Sequence, residues 1–264
     1  MARPNLLRQK LAEGKTCIGP IFQEFWSPEL FEFCGLAGFD YVIVDGEHAG
    51  IDPLASRELV RAAQGVGITA LARAPRAEPS LLLQYLDSGV EGLILPHCNT
   101  AADAEALVSA CKFPPRGIRG AAGSSRAAGY GFTQRSTLEH YEQADREVLC
   151  LGLIEEPRGV ENLDEILKVD GFDGCFVGYG DMALVLGRQY VGATMHPEVR
   201  RMVDHAIDLT LKAGKLVMIS AGTGAEARAY AERGVQLITL NFGASLVRRA
   251  IEGYLADFRA AGPA

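Results

Sequence analysis

Charged side chains recur at the ends of short, mainly apolar runs along this chain. The runs are YVIVDGEH (41–48), ITALARAP (68–75), LCLGLIEE (149–156) and GCFVGYGDM (174–182). Apolar runs without polar alternation predict strands buried on both faces, as in a parallel sheet covered by helices. Catalytic groups of such folds lie beyond the carboxyl ends of the strands, so we expect these polar side chains to be neighbours: Asp45, Glu47, His48, Arg73, Glu155 and Asp181. Together they offer metal ligands, a base and a group that stabilises an anion.

Two carboxylates follow consecutive predicted strands and can converge on one cation. Glu155 and Asp181 supply hard oxygen ligands and leave room for water and substrate, which suits Mg²⁺ or Mn²⁺. Glu156 is a competing ligand that spacing alone does not exclude. Alternatively, each carboxylate caps the following helix or pairs with an arginine such as Arg158. The pairing at strand ends favours the metal site.

One histidine occupies the position expected of a general base. His48 follows Asp45 by three residues, and a nearby carboxylate can select the tautomer of a histidine and raise its basicity. The alternative is a histidine with a purely structural role. His97 follows the strand-like segment GLILP and shares the strand-end location, so we expect it to line the pocket without transferring protons.

Arg73 ends the third predicted strand, where a buried guanidinium requires an anion. An enolate or a carboxylate of a substrate would serve, and so would a structural salt bridge to Asp45; both roles are compatible. A lysine that forms a Schiff base at the active mouth is not predicted. Lys168 and Lys215 precede strands, at the opposite end of the sheet, and the other four lysines fall in predicted helices or at their ends.

The composition favours a small molecule as the partner. The 264 residues carry a formal net charge of −7 without a lysine-rich run, which argues against nucleic acid or an anionic membrane. Six cysteines lack CxxC spacing and several lie in apolar runs, which predicts reduced core residues and a cytoplasmic protein. The amino terminus has no sustained apolar segment, and no uncharged apolar stretch of roughly 18 residues occurs, so we expect neither export nor membrane insertion.

The alternation of strand-like and helix-like segments gives eight strands, each followed by a helix. This pattern predicts parallel pairing with right-handed crossovers. Eight such units favour an α/β fold of the (β/α)8 TIM-barrel type, because closure of the barrel leaves no edge strand. We expect a single domain that spans residues 1–264, and an open doubly wound sheet is the alternative. The connection over residues 112–147 is unusually long, and we expect it to cover or border the active site.

Several long motifs, in order and with compatible spacing, resemble the HpcH/HpaI family of metal-dependent (class II) aldolases. They are AGFDYVIVDGEHA (37–49), LARAP (71–75), LDSGVEGLILP (86–96), CKFPPRGIRGAAGSSRAAGYG (111–131), IEEPRGVENLDEIL (154–167) and VDGFDGCFVGYGDMALVLG (169–187). The resemblance implies a (β/α)8 barrel that exchanges its C-terminal helix with a neighbouring subunit. It further implies a homohexamer built as a dimer of trimers.

The resemblance also implies roles for individual residues. Glu155 and Asp181 would bind the metal, and His48 would be the base, working through water with Asp45. Arg73 would stabilise the enolate. The acid of the LDxG motif, here Asp87, would come from an adjacent subunit and raise the basicity of the base. The backbone of the turn that follows the sixth strand would hold the carboxylate of the 2-oxo acid, through Gly178, Tyr179 and Gly180.

Two positions depart from the family pattern. The turn is GYGDM, whereas the family usually has GPADL or GPSDL. Leu153 stands where a glutamine commonly contacts the substrate, two residues before the metal-binding glutamate. Both departures concern the shape of the pocket, whereas the predicted metal ligands and base are retained.

The function implied is reversible aldol cleavage of a 4-hydroxy-2-oxo acid into an aldehyde and pyruvate, or a related 2-oxo acid such as hydroxypyruvate. The reaction would pass through a metal-bound enolate, with Mg²⁺ or Mn²⁺ as the cofactor and Co²⁺ or Ni²⁺ as substitutes. No motif specifies the aldehyde. One alternative is a lyase for CoA esters or phosphoenolpyruvate, which should carry a basic phosphate-binding surface or a cysteine-bearing gating loop. A non-catalytic 2-oxo acid sensor is the other, although the retained His48 and Asp45 argue against decay.

Overall fold

Eight parallel strands close into one barrel, in the order β1 to β8 along the chain. The computed structural model describes residues 4–132, 136–192 and 194–261. Closure is direct, because β1 pairs with both β2 and β8. The strands are β1 (Cys17–Phe22), β2 (Tyr41–Asp45), β3 (Thr69–Arg73), β4 (Gly92–Leu95), β5 (Leu149–Ile154), β6 (Gly174–Val177), β7 (Leu216–Ser220) and β8 (Leu237–Phe242). The predicted (β/α)8 barrel is confirmed.

Helices surround the barrel and return the chain to the amino ends of the strands. Several begin with proline after a residue whose side chain caps the helix, as Ser27 does for α2 and Asp52 for α3. In the described part of the chain the helices are α1 (Leu6–Ala12), α2 (Pro28–Leu36), α3 (Pro53–Gly65), α4 (Pro79–Ser88), α5 (Ala101–Cys111), α6 (Thr137–Glu147), α7 (Pro157–Glu161), α8 (Leu163–Ile166), α9 (Gly180–Leu186), α10 (Pro197–Lys212), α11 (Gly224–Glu232) and α12 (Ala244–Ala260). None of these described helices is both long and apolar enough to span a bilayer.

Strand side chains supply two separate apolar layers. Ile43 and Leu71 belong to a cluster inside the barrel, whereas Val42 and Ala70 belong to the cluster between barrel and helices. Every residue of β2 and β3 is buried, which explains why these strands lack the alternation of a half-exposed sheet. The six cysteines are unpaired and buried, as the sequence predicted.

The long connection over residues 112–147 lies elsewhere than expected. It joins α5 to β5, and a helix-to-strand connection reaches the amino ends of the strands, away from the catalytic end of a barrel. Its described residues include α6, and none of them lines the cavity at the carboxyl ends of the strands. The prediction that it borders the active site is therefore wrong for the site of its own chain.

Candidate active site at the carboxyl ends of the strands

A cavity of about 190 Å³ lies at the carboxyl ends of the strands. Most of the residues predicted from the sequence line it: His48, Arg73, Glu155, Gly178, Tyr179, Gly180 and Asp181. Gln23, Ser220 and Asn241 add polar groups that the sequence did not single out, and Leu153 adds an apolar wall. Each lies within one residue of the carboxyl end of a strand, and that shared position is the signal that could have identified them.

Asp45 and Arg73 form a buried, bidentate ion pair beneath this cavity. They are direct partners in the register of β2 and β3. Arg73 Nε donates to Asp45 Oδ1 at 3.0 Å, and Nη2 donates to Oδ2 at 2.5 Å. Burial opposes the charge of Arg73, but hydrogen bonding to Asp45 and the charge of that residue raise the pKa of the guanidinium above its ordinary value. The predicted salt bridge is therefore present, and it holds Arg73 at the wall of the cavity.

Asp45 also organises the turn that follows β2. Its Oδ1 accepts the backbone N–H groups of Glu47 at 3.0 Å and His48 at 3.3 Å. The imidazole of His48 is 54% exposed, and its Nε2 lies 3.9 Å from Glu47 Oε2. The contact between Asp45 and His48 thus runs through the backbone of His48, and no described residue forms a hydrogen bond to the ring.

Glu155 is a buried carboxylate with acidic neighbours. It is 4% exposed, and its Oε1 accepts the backbone N–H of His97 at 2.8 Å. Burial raises the pKa of Glu155 to about 7; the charges of Glu47 and Asp181 act in the same direction, and His97 opposes them. A cation at this position would offset both the desolvation and the repulsion, so the electrostatics fit a metal ligand.

Glu47 and His97 add ligand atoms that the sequence did not assign to the metal. One ligand atom from each of Glu47, His97 and Glu155 lies within 4.8 Å of the other two. Glu47 Oε2 is buried and accepts no hydrogen bond, although Arg73 Nη1 is 3.2 Å away. Arg73 offsets part of the charge of this oxygen, and a metal ion would supply the direct contact that the oxygen lacks. This donor set of oxygen atoms and an imidazole fits a divalent metal ion.

His97 contacts the carboxylates from the rim of the site. Its Nδ1 lies 2.8 Å from Glu156 Oε1 and 3.4 Å from Glu155 Oε1. Burial lowers the pKa of His97, but hydrogen bonding to Glu156 and the nearby carboxylate charges raise it overall. The prediction that His97 lines the pocket is not met, because it lies beside the cavity and not in its wall. Glu156, the competing metal ligand, is likewise outside the wall and pairs with His97.

The turn between β6 and α9 packs tightly against the end of β5. A Cβ added to Gly178 would lie 2.9 Å from the Cβ of Glu155 and 3.0 Å from Leu153 Cδ1. Asp181 stands in the first turn of α9, directly after the turn. Glycine at position 178 therefore allows the two predicted metal ligands to approach one cavity from neighbouring strands.

Asp87 is not part of this cavity within the chain. It lies in the last turn of α4, a helix that runs back toward the amino ends of the strands. Its Oδ1 is 3.9 Å from Arg119 Nη2, and burial raises its pKa although Arg119 opposes the shift. Only a neighbouring subunit could bring an Asp87 to this site, as the sequence resemblance implies.

Comparison with known proteins identifies the family. The profile of the HpcH/HpaI aldolase/citrate lyase family matches residues 21–250. A 5-keto-4-deoxy-D-glucarate aldolase from Escherichia coli O6:H1 is 32% identical over 256 residues, which cover 97% of each protein. The crystal structure of an HpcH/HpaI aldolase/citrate lyase family protein from Burkholderia cenocepacia J2315 has a TM-score of 0.88 at 32% identity, over 97% of this chain and 99% of that one. An HpcH/HpaI aldolase from Desulfitobacterium hafniense DCB-2 gives 0.88 at 27% identity, over 98% of each. The chain therefore belongs to the HpcH/HpaI aldolase/citrate lyase family and is a carbon–carbon lyase of the aldolase type.

Proposed function

We propose that this enzyme is a class II aldolase that reversibly cleaves a 4-hydroxy-2-oxo acid into an aldehyde and pyruvate, or a close relative of pyruvate. The observation that carries the proposal is the single cavity lined by two carboxylates, an arginine and a histidine: Glu155, Asp181, Arg73 and His48. Kinship to an enzyme that acts on 5-keto-4-deoxy-D-glucarate supports a hydroxylated 2-oxo acid as the substrate. The aldehyde is left open, because no feature of the wall selects one.

Glu155 and Asp181 would hold the divalent ion, Mg²⁺ or Mn²⁺, with Glu47 close enough to contribute a carboxylate oxygen. When bound, the ion supplies positive charge that acidifies the carbon next to the keto group of the 2-oxo acid.

The remaining groups bind the substrate and move its proton. Arg73, held by Asp45, faces the oxyanion that develops as the enolate forms. The backbone of residues 178–180 would hold the substrate carboxylate. In cleavage, His48 accepts the proton of the 4-hydroxyl, the aldehyde carbonyl forms, and the electron pair of the breaking carbon–carbon bond passes into the enolate of pyruvate. The methylene carbon of the enolate then takes a proton from His48 and becomes the methyl group of pyruvate, and the reverse of this transfer exchanges the methyl protons. The exposed imidazole suits exchange of that proton with solvent.

We further propose that the active enzyme is an oligomer of paired trimers in which α12 packs on a neighbouring subunit. Apolar side chains on this helix lie in solvent in the single chain: Ile251 is 56% exposed, Phe258 70% and Tyr254 76%. A helix that leaves large apolar side chains uncovered is typical of an interface. The same assembly would bring Asp87 to the site of a neighbour.

Deuterium exchange into pyruvate tests the proposed chemistry without an aldehyde. With Mg²⁺ and pyruvate in D₂O, the enzyme should exchange the methyl protons, seen as loss of the methyl signal by NMR. EDTA should stop the exchange. His48→Ala should slow it by about 10²–10⁴-fold while pyruvate binding is retained, because the variant removes only the proton-transfer group.

His205→Ala is the matched control, since His205 is exposed on α10, outside the cavity. This variant should exchange at the wild-type rate. Exchange that survives EDTA would contradict the proposal. A pyruvate adduct trapped by borohydride would also contradict it, because such an adduct requires an imine between pyruvate and a lysine. Absence of exchange with every metal and 2-oxo acid tried would instead favour a sensor of 2-oxo acids.

A further inference from the structure

A second cavity lies at the opposite end of the barrel from the reaction. Its volume is about 100 Å³, and its wall combines the carboxyl ends of α3 and α4 with the connection between α5 and β5. The wall includes Gln64, Gly89, Arg119, Arg126 and Glu147. It shares no described residue with the catalytic cavity of its own chain.

Arg119 is a buried cation in this wall without adequate partners. Its side chain is 4% exposed, and its Nε is buried with no hydrogen-bond acceptor. Asp87 Oδ1, the nearest carboxylate oxygen, is 3.9 Å from Nη2, too far for a hydrogen bond. The guanidinium also packs over the ring of Phe113, with its carbon 4.7 Å from the ring centroid. Burial lowers the pKa of Arg119, which reflects the cost of holding this charge in the protein.

A second arginine in the wall has the same deficit. Arg126 Nη2 donates to the amide oxygen of Gln64 at 2.5 Å, but its Nε is buried and has no acceptor. The two carboxylates in the wall already accept backbone N–H groups: Glu91 accepts from Ala70 at 3.2 Å and Glu147 accepts from Asn5 at 2.9 Å. Within the described residues, the Nε atoms of both guanidinium groups in this wall lack an acceptor.

We propose that this cavity binds a compact oxyanion, a phosphate or a short carboxylate. Guanidinium groups match both anions, because each presents fixed, adjacent oxygen acceptors to the planar donors. The cavity volume of about 100 Å³ limits the ligand to a few heavy atoms. The bound anion would satisfy the Nε atoms of Arg119 and Arg126 and offset the buried charge of Arg119.

Calorimetric titration of metal-free enzyme with inorganic phosphate and, separately, with acetate tests this site. Saturable binding of at least one of them is expected, and the comparison identifies the preferred chemistry. Arg119→Met and Arg126→Met should each weaken that binding about tenfold or more, because each removes a charge-assisted hydrogen bond. Arg116→Met is the matched control: this arginine is 48% exposed in the same connection and is absent from the wall.

Arg73→Lys separates the new site from the catalytic cavity. Binding that persists in Arg73→Lys and weakens in Arg126→Met supports the proposal. Binding that is lost in Arg73→Lys but unchanged in Arg126→Met places the anion in the catalytic cavity and overturns it, as does failure of both anions to bind. Circular dichroism verifies folding, and if Arg119→Met does not fold, the half-buried Arg126 provides the deciding variant.

Discussion

At the scale of single residues, metal binding at the proposed site should depend on the protonation of Glu155. Burial raises its pKa to about 7 in the metal-free chain, so Glu155 is largely neutral below pH 7 and charged above it. A metal must displace this proton, so its apparent affinity should fall as the pH drops through 7. Well below pH 7, each further pH unit should lower the apparent affinity about tenfold. Calorimetry with Mg²⁺ or Mn²⁺ between pH 5.5 and 8.5, at roughly half-unit steps, measures this slope.

Glu155→Gln and Asp181→Asn are the matched variants for that experiment. Each removes one charge from the two-carboxylate site and should abolish both metal binding and aldol cleavage. Undiminished metal affinity in both variants, or wild-type affinity that stays constant through pH 7, would refute the assignment of these ligands.

The buried ion pair between Asp45 and Arg73 gives a second prediction about single residues. Asp45→Asn would remove the charge that pairs with two guanidinium nitrogens of the buried Arg73 and leave only Glu47, 3.2 Å from Nη1, which should lower the free energy of unfolding by about 3 kcal/mol and reduce kcat/KM. Denaturant unfolding measures the first effect. Glu165→Gln is the control, because its ion pair with Lys168 is exposed and should matter little. Equal effects of the two variants would contradict a special role for the buried pair.

At the scale of elements, the turn between β6 and α9 sets how closely the two predicted metal ligands approach. Gly178→Ala would place a methyl group 2.9 Å from the Cβ of Glu155, so either the turn or the end of β5 must shift. We expect metal affinity and activity to fall tenfold or more, because changes that displace a metal ligand from its position typically have effects of about that size. Gly180→Ala is the control for metal affinity, since no atom lies within 4 Å of its added methyl. Similar losses of metal affinity in both variants would show that the turn needs flexibility and not space.

Local pattern was sufficient to predict most of these elements, and the reason is burial. Strands covered on both faces need continuous apolar runs, and YVIVD and LCLGLI show them plainly. The direction of the connection over residues 112–147 was misjudged, because length alone does not distinguish a strand-to-helix loop from a helix-to-strand one. Position between α5 and β5 decides it, and that places the connection at the amino end of the barrel.

At the scale of the whole molecule, the proposed oligomer should complete the site. Asp87 lies on α4 near the amino ends of its own strands and does not line its own catalytic cavity. If it supports the His48 of a neighbour, Asp87→Ala should lower kcat without unfolding the chain. Co-refolding Asp87→Ala with His48→Ala should then regenerate some intact sites and recover part of the activity, measured as pyruvate released.

Mixed assemblies of His48→Ala with Arg73→Lys provide the control. His48 and Arg73 line the same cavity of a single chain. Every subunit in this mixture lacks one of the two residues, so no cavity contains both, however the subunits assemble. Recovery in the first mixture but not in the second supports a site shared between subunits. Absence of recovery in the first, despite mixed oligomers by native mass spectrometry, would confine the site to one chain.

The sequence by itself determined the barrel, the strand-end positions of His48, Arg73, Glu155 and Asp181, and the family, because apolar runs and motifs are local properties of the chain. Tertiary structure alone decided which side chains meet. Register pairs Asp45 with Arg73, and convergence of separate strand ends brings Glu47 and His97 to Glu155. Packing also leaves the Nε atoms of Arg119 and Arg126 without acceptors at the other end of the barrel. These outcomes depend on distances across the fold and on burial, which no local spacing encodes.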